Sequence, residues 1–280
     1  MLYSQKAGER WYPASLTKMM TAYVVFKAIK AGKISLKTRL KVSRKASRQP
    51  PSKIGLRAGT RISVNKALEA LIVRSGNDVA MVLAEGVGRT EANFVKKMNA
   101  TAKRLGMNAT TYANPHGLNN KRQISTARDI GILAQALIKE FPQYRHYFKM
   151  QRVTVGKKTL KARNKLLKTL KGADGMKTGF VCVSGYNIVV SATRGNRQLV
   201  AVVMGSESAK MRDARAALLL ERAFSNPSAA DSDANKLTKL ANGSTAKKPT
   251  SMRSVVCKPA KKKRRAKKRN KKHKHKARGS

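Results

Sequence analysis

The chain has 280 residues, 41% of them apolar, which is enough to bury one large core or two small ones. It carries 62 Lys and Arg against 13 Asp and Glu, a formal net charge of +49 at pH 7. Such a chain should be attracted to nucleic acid, anionic lipid or acidic cell-wall polymer, and the charge alone does not choose between them. No run of 18 apolar residues occurs, so no membrane-spanning helix is expected.

The first half of the chain has a helical pattern. Residues 14–30 are apolar nearly all round, which predicts a buried helix. Segment 34–63 favours loops with short extended pieces, and two further helices flank a break within "RSGND". Another helix is predicted over 90–105, and Thr126 is a good N-cap for the helix in "ARDIGILAQALIKE".

The second half changes to a strand pattern. A hairpin is predicted to turn at Gly156, and a last amphipathic helix covers 209–224. Between them lie three apolar, β-branched runs, separated by glycine-containing turns, that predict an antiparallel meander: 176–183, 186–193 and 198–204. Helices joined to a late antiparallel sheet indicate an α+β layered domain, which we assign to residues 1–226.

The composition changes again after Phe224, and from Lys258 the sequence is almost wholly basic. Segment 227–280 is therefore predicted to be a disordered linker with a polybasic tail. The tail is either simply solvated or attaches the protein to anionic envelope polymers or lipid headgroups. Nucleic acid is a weaker alternative, because no aromatic residues are interleaved for base stacking.

The two cysteines are Cys182, in an apolar run, and Cys257, in the basic tail. Because the tail has the composition of a disordered segment, we expect no structural disulfide between them. The start of the chain lacks a basic and apolar leader, so the sequence as given shows no signal peptide.

The apolar segment "WYPASLTKMMTAYVVF" places Lys18 three residues after Ser15, and these positions share one face of a helix. An amine in an apolar environment near a helix N-terminus is shifted toward its neutral form, which accepts a proton from serine. The pair by itself is weak evidence, since a helix cap beside a snorkelling lysine has the same spacing.

Two further tripeptides accompany this pair. The sequence SGN at 75–77 lies in the break between two helices, and KTG at 177–179 opens an apolar strand. Each alone is unremarkable, as a turn or as a strand beginning. Together they stand in the order S-x-x-K, S-x-N and K-T-G, each in the expected structural context. This set is typical of penicillin-binding proteins and serine β-lactamases.

The resemblance covers residues 2–225. The stretches "YPASLTKMMTAYVVF", "RSGNDVAMVLAE", "NPHGLNN" and "DGMKTGFVCVSGYNIVVSA" resemble the D-alanyl-D-alanine carboxypeptidases of the low-molecular-mass penicillin-binding class. It implies a transpeptidase fold whose site lies between an antiparallel sheet and a helical subdomain. In that family the polypeptide begins with a signal peptide and a further strand, so we expect both to be missing from this N-terminally truncated sequence.

The resemblance also implies roles for residues of the three motifs. Ser15 would be the acylated nucleophile and Lys18 the base that activates it. Ser75 and Asn77 would carry protons and hold the substrate amide. The oxyanion hole would consist of backbone N–H groups, one from Ser15 and one from the strand after Gly179.

A second group would bind the substrate's terminal carboxylate. The resemblance assigns this task to Lys177, Thr178 and Gly179 on the strand and to Arg212 in "SAKMRDAR". His116, in "NPHGL", matches a loop motif with a structural role. No metal and no cofactor is implied.

The implied reaction removes the terminal D-alanine from peptidoglycan stem peptides that end in D-Ala-D-Ala, in the periplasm or cell envelope if the protein is exported. β-Lactam antibiotics would acylate the same serine. A β-lactamase of class A needs a glutamate for deacylation. The only acidic residues of segment 101–173 are Asp129 and Glu140, and neither lies in a recognisable loop motif. The alternative function is a non-catalytic polycation that binds nucleic acid or an anionic surface.

Overall fold

The computed structural model describes residues 2–226, 237–243 and 248–257. Segment 258–280 and much of the predicted linker lie outside these ranges. The helices begin after a short 3-10 turn at Ala14–Leu16. They are α1 (Thr17–Lys30), α2 (Arg44–Ser47), α3 (Val64–Val73), α4 (Asn77–Gly88), α5 (Glu91–Arg104), α6 (Ala127–Glu140), α7 (His146–Lys149), α8 (Leu166–Thr169), α9 (Ala209–Ser225) and α10 (Arg253–Val256).

In the part of the chain that the structure describes, the strands form three antiparallel sheets. Their bounds are β1 (Arg39–Lys41), β2 (Arg61–Ser63), β3 (Arg152–Val155), β4 (Lys158–Lys161), β5 (Ala173–Val181), β6 (Gly185–Arg194) and β7 (Arg197–Ser206). Two are the hairpin-like pairs β1–β2 and β3–β4, and the third is the meander β5–β6–β7. The predicted hairpin at Gly156 and the predicted meander are both confirmed.

The predicted helices are confirmed as well, and their ends have local causes. The side chain of Thr126 accepts a hydrogen bond from the backbone N–H of Asp129, so it caps α6 as its sequence position predicts. Ser63 caps α3 in the same manner, and Thr90 caps α5. No helix among residues 2–226, 237–243 and 248–257 is long and apolar enough to cross a bilayer.

The meander lies between two layers of helix. On one face, Ile188 and Val190 of β6 belong to an apolar cluster with Ala216 and Leu220 of α9. On the other face, Val189 joins the main core, which is built chiefly from α1, α3, α4, α5 and α6. Alternation along β6 therefore serves two cores, since successive side chains of a strand point to opposite faces. The predicted α+β layered architecture is confirmed.

The prediction about the cysteines is wrong. Cys182 and Cys257 form a disulfide with a Cα–Cα distance of 5.6 Å. The described parts of segment 227–280 also contact the domain: the N–H of Gly243 donates to the carbonyl of Gly8, and Leu237 packs against the core. The prediction from composition was wrong because a few apolar contacts and one cross-link are enough to attach a polar tail to a folded domain.

Candidate active site

Ser15 lies in the 3-10 turn that precedes α1, in a tightly constrained backbone. Ala14 has a φ of +48°, which side-chain-bearing residues rarely adopt. Gly117, in "NPHGL", packs directly against this turn, because a Cβ on Gly117 would lie 1.8 Å from the carbonyl oxygen of Ala14. Only glycine fits there, and sequence reasoning missed this requirement because nothing local indicates the close approach.

Lys18 follows in the first turn of α1 and is completely buried. Its Nζ lies 2.9 Å from Ser15 Oγ, 2.8 Å from Asn77 Oδ1 and 2.6 Å from the carbonyl oxygen of His116. The structure thus joins the first two motifs through one amine. The third contact is with a backbone carbonyl, which no residue type in the sequence could have revealed.

Burial places the pKa of Lys18 well below its usual range, and the nearby positive charge of Lys177 lowers this pKa further. A neutral amine has two N–H donors and one lone pair. The oxygens of Asn77 and His116 take the two donors, which leaves the lone pair for the hydroxyl proton of Ser15. The geometry therefore suits proton abstraction from Ser15.

The SGN loop carries a second hydroxyl. Ser75 has a φ of +65°, and its Oγ is buried without a hydrogen-bond partner among the described residues. A buried hydroxyl without a partner in the chain can be satisfied by a water or a bound molecule. Asn77 is oriented from both ends, since its Nδ2 donates to the carbonyl of Pro50 at 2.8 Å.

Asp78 holds the loop that covers this motif. Its carboxylate accepts hydrogen bonds from the backbone N–H groups of Ile54 and Gly55 at 2.9 and 2.8 Å. Gly76 must be small, because a Cβ there would lie 2.9 Å from Asp78 Oδ1. Sequence reasoning overlooked Asp78, although an acid in the first turn of α4 is a common feature of helix N-termini.

The KTG motif lies on β5, which among the described residues pairs with β6 and forms one edge of the meander. A Cβ on Gly179 would lie 3.1 Å from the backbone nitrogen of Ser15, so the glycine lets the strand pass against the serine. Lys177 is 1% exposed, and Nζ donates to the carbonyl of Thr178 at 2.9 Å. Burial, together with Arg163 and Arg212, lowers the pKa of Lys177 to about 7.

Arg212 lies on α9 and is buried, as is Thr178 on β5. The structure pairs Arg212 with its neighbour, since Nε and Nη2 donate to Asp213 Oδ1 at 2.8 and 2.6 Å. Its charge still reaches Lys177, whose pKa it lowers. Arg163 has a larger effect on that pKa and was not singled out in the sequence.

His116 contributes its backbone, not its ring, to the contacts of Lys18. Its Nδ1 accepts a hydrogen bond from the N–H of Leu118 at 3.2 Å. Burial and the charges of Lys18 and Lys45 lower the pKa of His116 to about 3, which keeps the imidazole neutral. These contacts agree with the structural role expected for this residue.

The two acidic residues of 101–173 are held elsewhere. Asp129 accepts from the N–H of Ala109 and pairs with Arg128, while Glu140 accepts from Tyr23 and pairs with Arg104. Among the described residues, no hydrogen bond or ion pair joins either carboxylate to the groups around Ser15. No cluster of three or more acidic, His or Cys side chains suited to a metal occurs within 2–226, 237–243 and 248–257.

A serine beside a buried lysine, next to a glycine-bearing strand edge, is an arrangement suited to serine acyl transfer without histidine. The family signature of Peptidase_S11, described as D-alanyl-D-alanine carboxypeptidase, matches residues 1–208. The chain belongs to this family.

Individual relatives agree with this assignment. The D-alanyl-D-alanine carboxypeptidase DacF of Bacillus subtilis is 36% identical over 231 residues, which cover 80% of this chain and 59% of DacF. Penicillin-binding protein 5 of Haemophilus influenzae superposes with a TM-score of 0.77 at 38% identity, over 80% of this chain and 67% of that one. The cefotaxime-bound penicillin-binding protein D2 of Listeria monocytogenes gives a TM-score of 0.72 at 33% identity, covering 80% and 91%. The penicillin-binding-protein fold is thereby confirmed.

The match covers only part of the length of these relatives. The chain spans less than two thirds of the length of DacF and of several other curated relatives that it matches.

Proposed function

We propose that this protein is a serine-type D-Ala-D-Ala carboxypeptidase that removes the terminal D-alanine from peptidoglycan stem peptides. One observation carries the proposal: the buried Lys18 amine contacts Ser15 Oγ, Asn77 Oδ1 and the carbonyl of His116. This arrangement activates a hydroxyl next to a strand edge where a peptide can bind. A polycation without catalysis has no need of it.

In the acylation step, Ser15 Oγ attacks the carbonyl carbon of the penultimate D-alanine and its proton passes to Lys18 Nζ. The oxyanion is stabilised by the backbone N–H of Ser15 and that of the residue after Gly179. The C–N bond then breaks. The departing amine takes up a proton relayed by Ser75, whose Oγ has no other partner among the described residues.

The substrate's terminal carboxylate binds at Lys177, Thr178 and Arg212. Asn77 holds the amide of the acyl part. Water then hydrolyses the Ser15 ester, with Lys18 again as base, and this regenerates the hydroxyl. Asp129 and Glu140 take no part, which fits slow deacylation of a β-lactam adduct rather than β-lactamase activity.

β-Lactams are expected to acylate Ser15, and the cefotaxime-bound Listeria relative supports this. Intact mass after incubation with benzylpenicillin tests the nucleophile. We expect one lasting adduct on the wild type and none on Ser15→Ala. D-Alanine release from a diacetylated Lys-D-Ala-D-Ala peptide tests the reaction, and release by Ser15→Ala would contradict the mechanism.

The site of action that we propose is the periplasm or cell envelope, where this substrate occurs. The Cys182–Cys257 disulfide supports an oxidising compartment, because structural disulfides persist mainly there. The net charge of +49 supports attachment to anionic envelope polymers or lipid headgroups. Nucleic acid binding is the less favoured reading of the same charge.

A further inference from the structure

A cationic pocket lies at the opposite end of α4 from the SGN motif. Its volume is about 440 Å³. The polar residues that line it are Arg89, Asn93, Lys96 and Lys97. Asn77 begins α4 and Gly88 ends it, so about 17 Å of helix separates the pocket from the motif. The pocket is therefore distinct from the candidate active site at Ser15.

The two helices that form the pocket are closely packed at their corner. A Cβ on Gly88 would lie 2.7 Å from the backbone nitrogen of Phe94, so the end of α4 lies directly against α5. Phe94 itself is fully buried. Residues 93, 96, 97 and 100 of α5 are exposed and lie three or four positions apart, so they share one face of the helix. The backbone that carries the cationic side chains is thus held in place without a ligand.

Nearby acidic residues do not neutralise the pocket. The two helices contain three carboxylates, and each has its partners elsewhere. The contacts are those of Asp78 with the backbone of residues 54–56, Glu85 with Ser43, and Glu91 with Lys45. Among the described residues, no hydrogen bond or ion pair engages the side chains of Arg89, Lys96 and Lys97. The pocket therefore concentrates three positive charges that lack a counter-ion within the described chain.

Arg89 has a backbone conformation that favours glycine. It directly follows α4, and its φ is +62°. Helices commonly end with a glycine at such a position, because glycine adopts a positive φ without a steric cost. Backbone outliers of this kind occur preferentially at functional sites. An arginine here supplies a planar set of N–H donors that can bind two oxygens of one anion.

We infer that this pocket binds a phosphate ester, either a free one or the headgroup of a phospholipid. Three cations favour a phosphate over a carboxylate, because a phosphate monoester carries up to two negative charges and has three strong acceptor oxygens. The volume lies within the range of small-molecule pockets, about 300–1,000 Å³, so the alcohol part of the ester also has room. The site goes beyond the proposed function and does not depend on it.

The experiment measures binding of two probes to the full chain at about 0.15 M salt. Glycerol 3-phosphate is titrated by calorimetry, and phosphatidylglycerol vesicles are tested by co-sedimentation. The double variant Lys96→Gln/Lys97→Gln changes the pocket. Lys27→Gln/Lys30→Gln removes the same charge from exposed positions of α1 and is the matched control. We expect affinity to fall about tenfold in the pocket variant and to change less than about twofold in the control.

Arg89→Gly separates a ligand-binding arginine from a structural one. We expect it to weaken binding to a similar extent while raising the urea midpoint of unfolding, because glycine adopts the positive φ without strain. A lower midpoint with unchanged affinity would overturn the role assigned to Arg89.

Pocket-dependent binding of glycerol 3-phosphate would identify a free ester as the ligand, and pocket-dependent binding of vesicles alone would identify a lipid headgroup. Equal losses in the two double variants would show attraction by diffuse charge and would overturn the inference. The same holds if the wild type binds neither probe, or if only a DNA duplex binds in a pocket-dependent manner. None of these measurements uses D-alanine release, so the inference and the proposed function fail separately.

Discussion

The helical half and the sheet half of the site each bury one lysine, and they hold it differently. Lys18 on α1 contacts three oxygens, two of them on distant segments. Lys177 on β5 has a single hydrogen bond among the described residues, to the carbonyl next to it. Both pKa values are lowered by burial.

The difference lies in what each amine still lacks. The N–H groups of a neutral Lys18 are satisfied, so its remaining capacity is a lone pair directed at Ser15. Lys177 makes one hydrogen bond among the described residues and has Arg163 and Arg212 as positive neighbours, so its surroundings favour an anion. Burial alone therefore does not assign a role to a lysine, and the surrounding acceptors and charges do.

The largest expected effect comes from substituting Lys18 and Lys177 one at a time and comparing the losses of activity. Lys18→Gln should slow acylation by benzylpenicillin by about 10³-fold or more, because the general base is lost. Lys177→Gln should cost about 10²-fold, mainly through KM for the peptide, because an anion contact is lost. Lys27→Gln, an exposed position of the same helix, is the control and should match the wild type. Comparable KM-only effects at positions 18 and 177 would contradict the division of roles.

The next effect concerns the backbone that supports the helical half. Gly117→Ala should destabilise the fold by about 2–4 kcal/mol. The new Cβ would collide with the Ala14 carbonyl, and the alanine would also have to adopt a φ of +85°. Gly106→Ala is the matched control, since Gly106 has a φ of +77° but no atom within 4 Å of the added Cβ. Urea unfolding measures both. Equal losses would show that the collision with the Ser15 turn contributes nothing.

The pH dependence of kcat/KM for the peptide should show two limbs of about tenfold per pH unit. Activity rises with pH as Lys18 loses its proton, and falls above pH 7 as Lys177, with a pKa of about 7, loses the charge that binds the carboxylate. Lys177→Arg keeps a positive charge at alkaline pH and should flatten the falling limb. A falling limb that persists unchanged in Lys177→Arg would assign it to another group.

The smallest effect tests the pairing of Arg212. Asp213→Asn removes the carboxylate that holds this guanidinium, so KM for the peptide should decrease about threefold, because Arg212 becomes available to the substrate. Glu207→Gln removes an equal charge at an exposed position and should leave KM unchanged. An increase in KM for Asp213→Asn would mean that the aspartate positions Arg212 rather than competing with the substrate.

Much of the architecture was predictable from the sequence. The helices, the hairpin at Gly156 and the meander follow from periodicity, caps and turn residues, which act over a few neighbouring positions. The candidate residues Ser15, Lys18 and Asn77 were recognisable from spacing and order, and the structure brings their side chains into direct contact through Lys18.

Other features depended on the path of the chain through space. The carbonyl of His116 that takes an N–H of Lys18, the close approach of Gly117 to Ala14, and the Cys182–Cys257 bond join positions far apart in sequence. Local composition even pointed the wrong way for the disulfide. Element type follows from short stretches of sequence, and the motifs and their order are read directly along the chain, so the sequence alone decided both. Tertiary packing alone decided which backbone oxygen contacts Lys18, which glycine packs against Ala14 and which sulfur bonds to Cys182. Those contacts depend on distances between segments that no local sequence pattern contains.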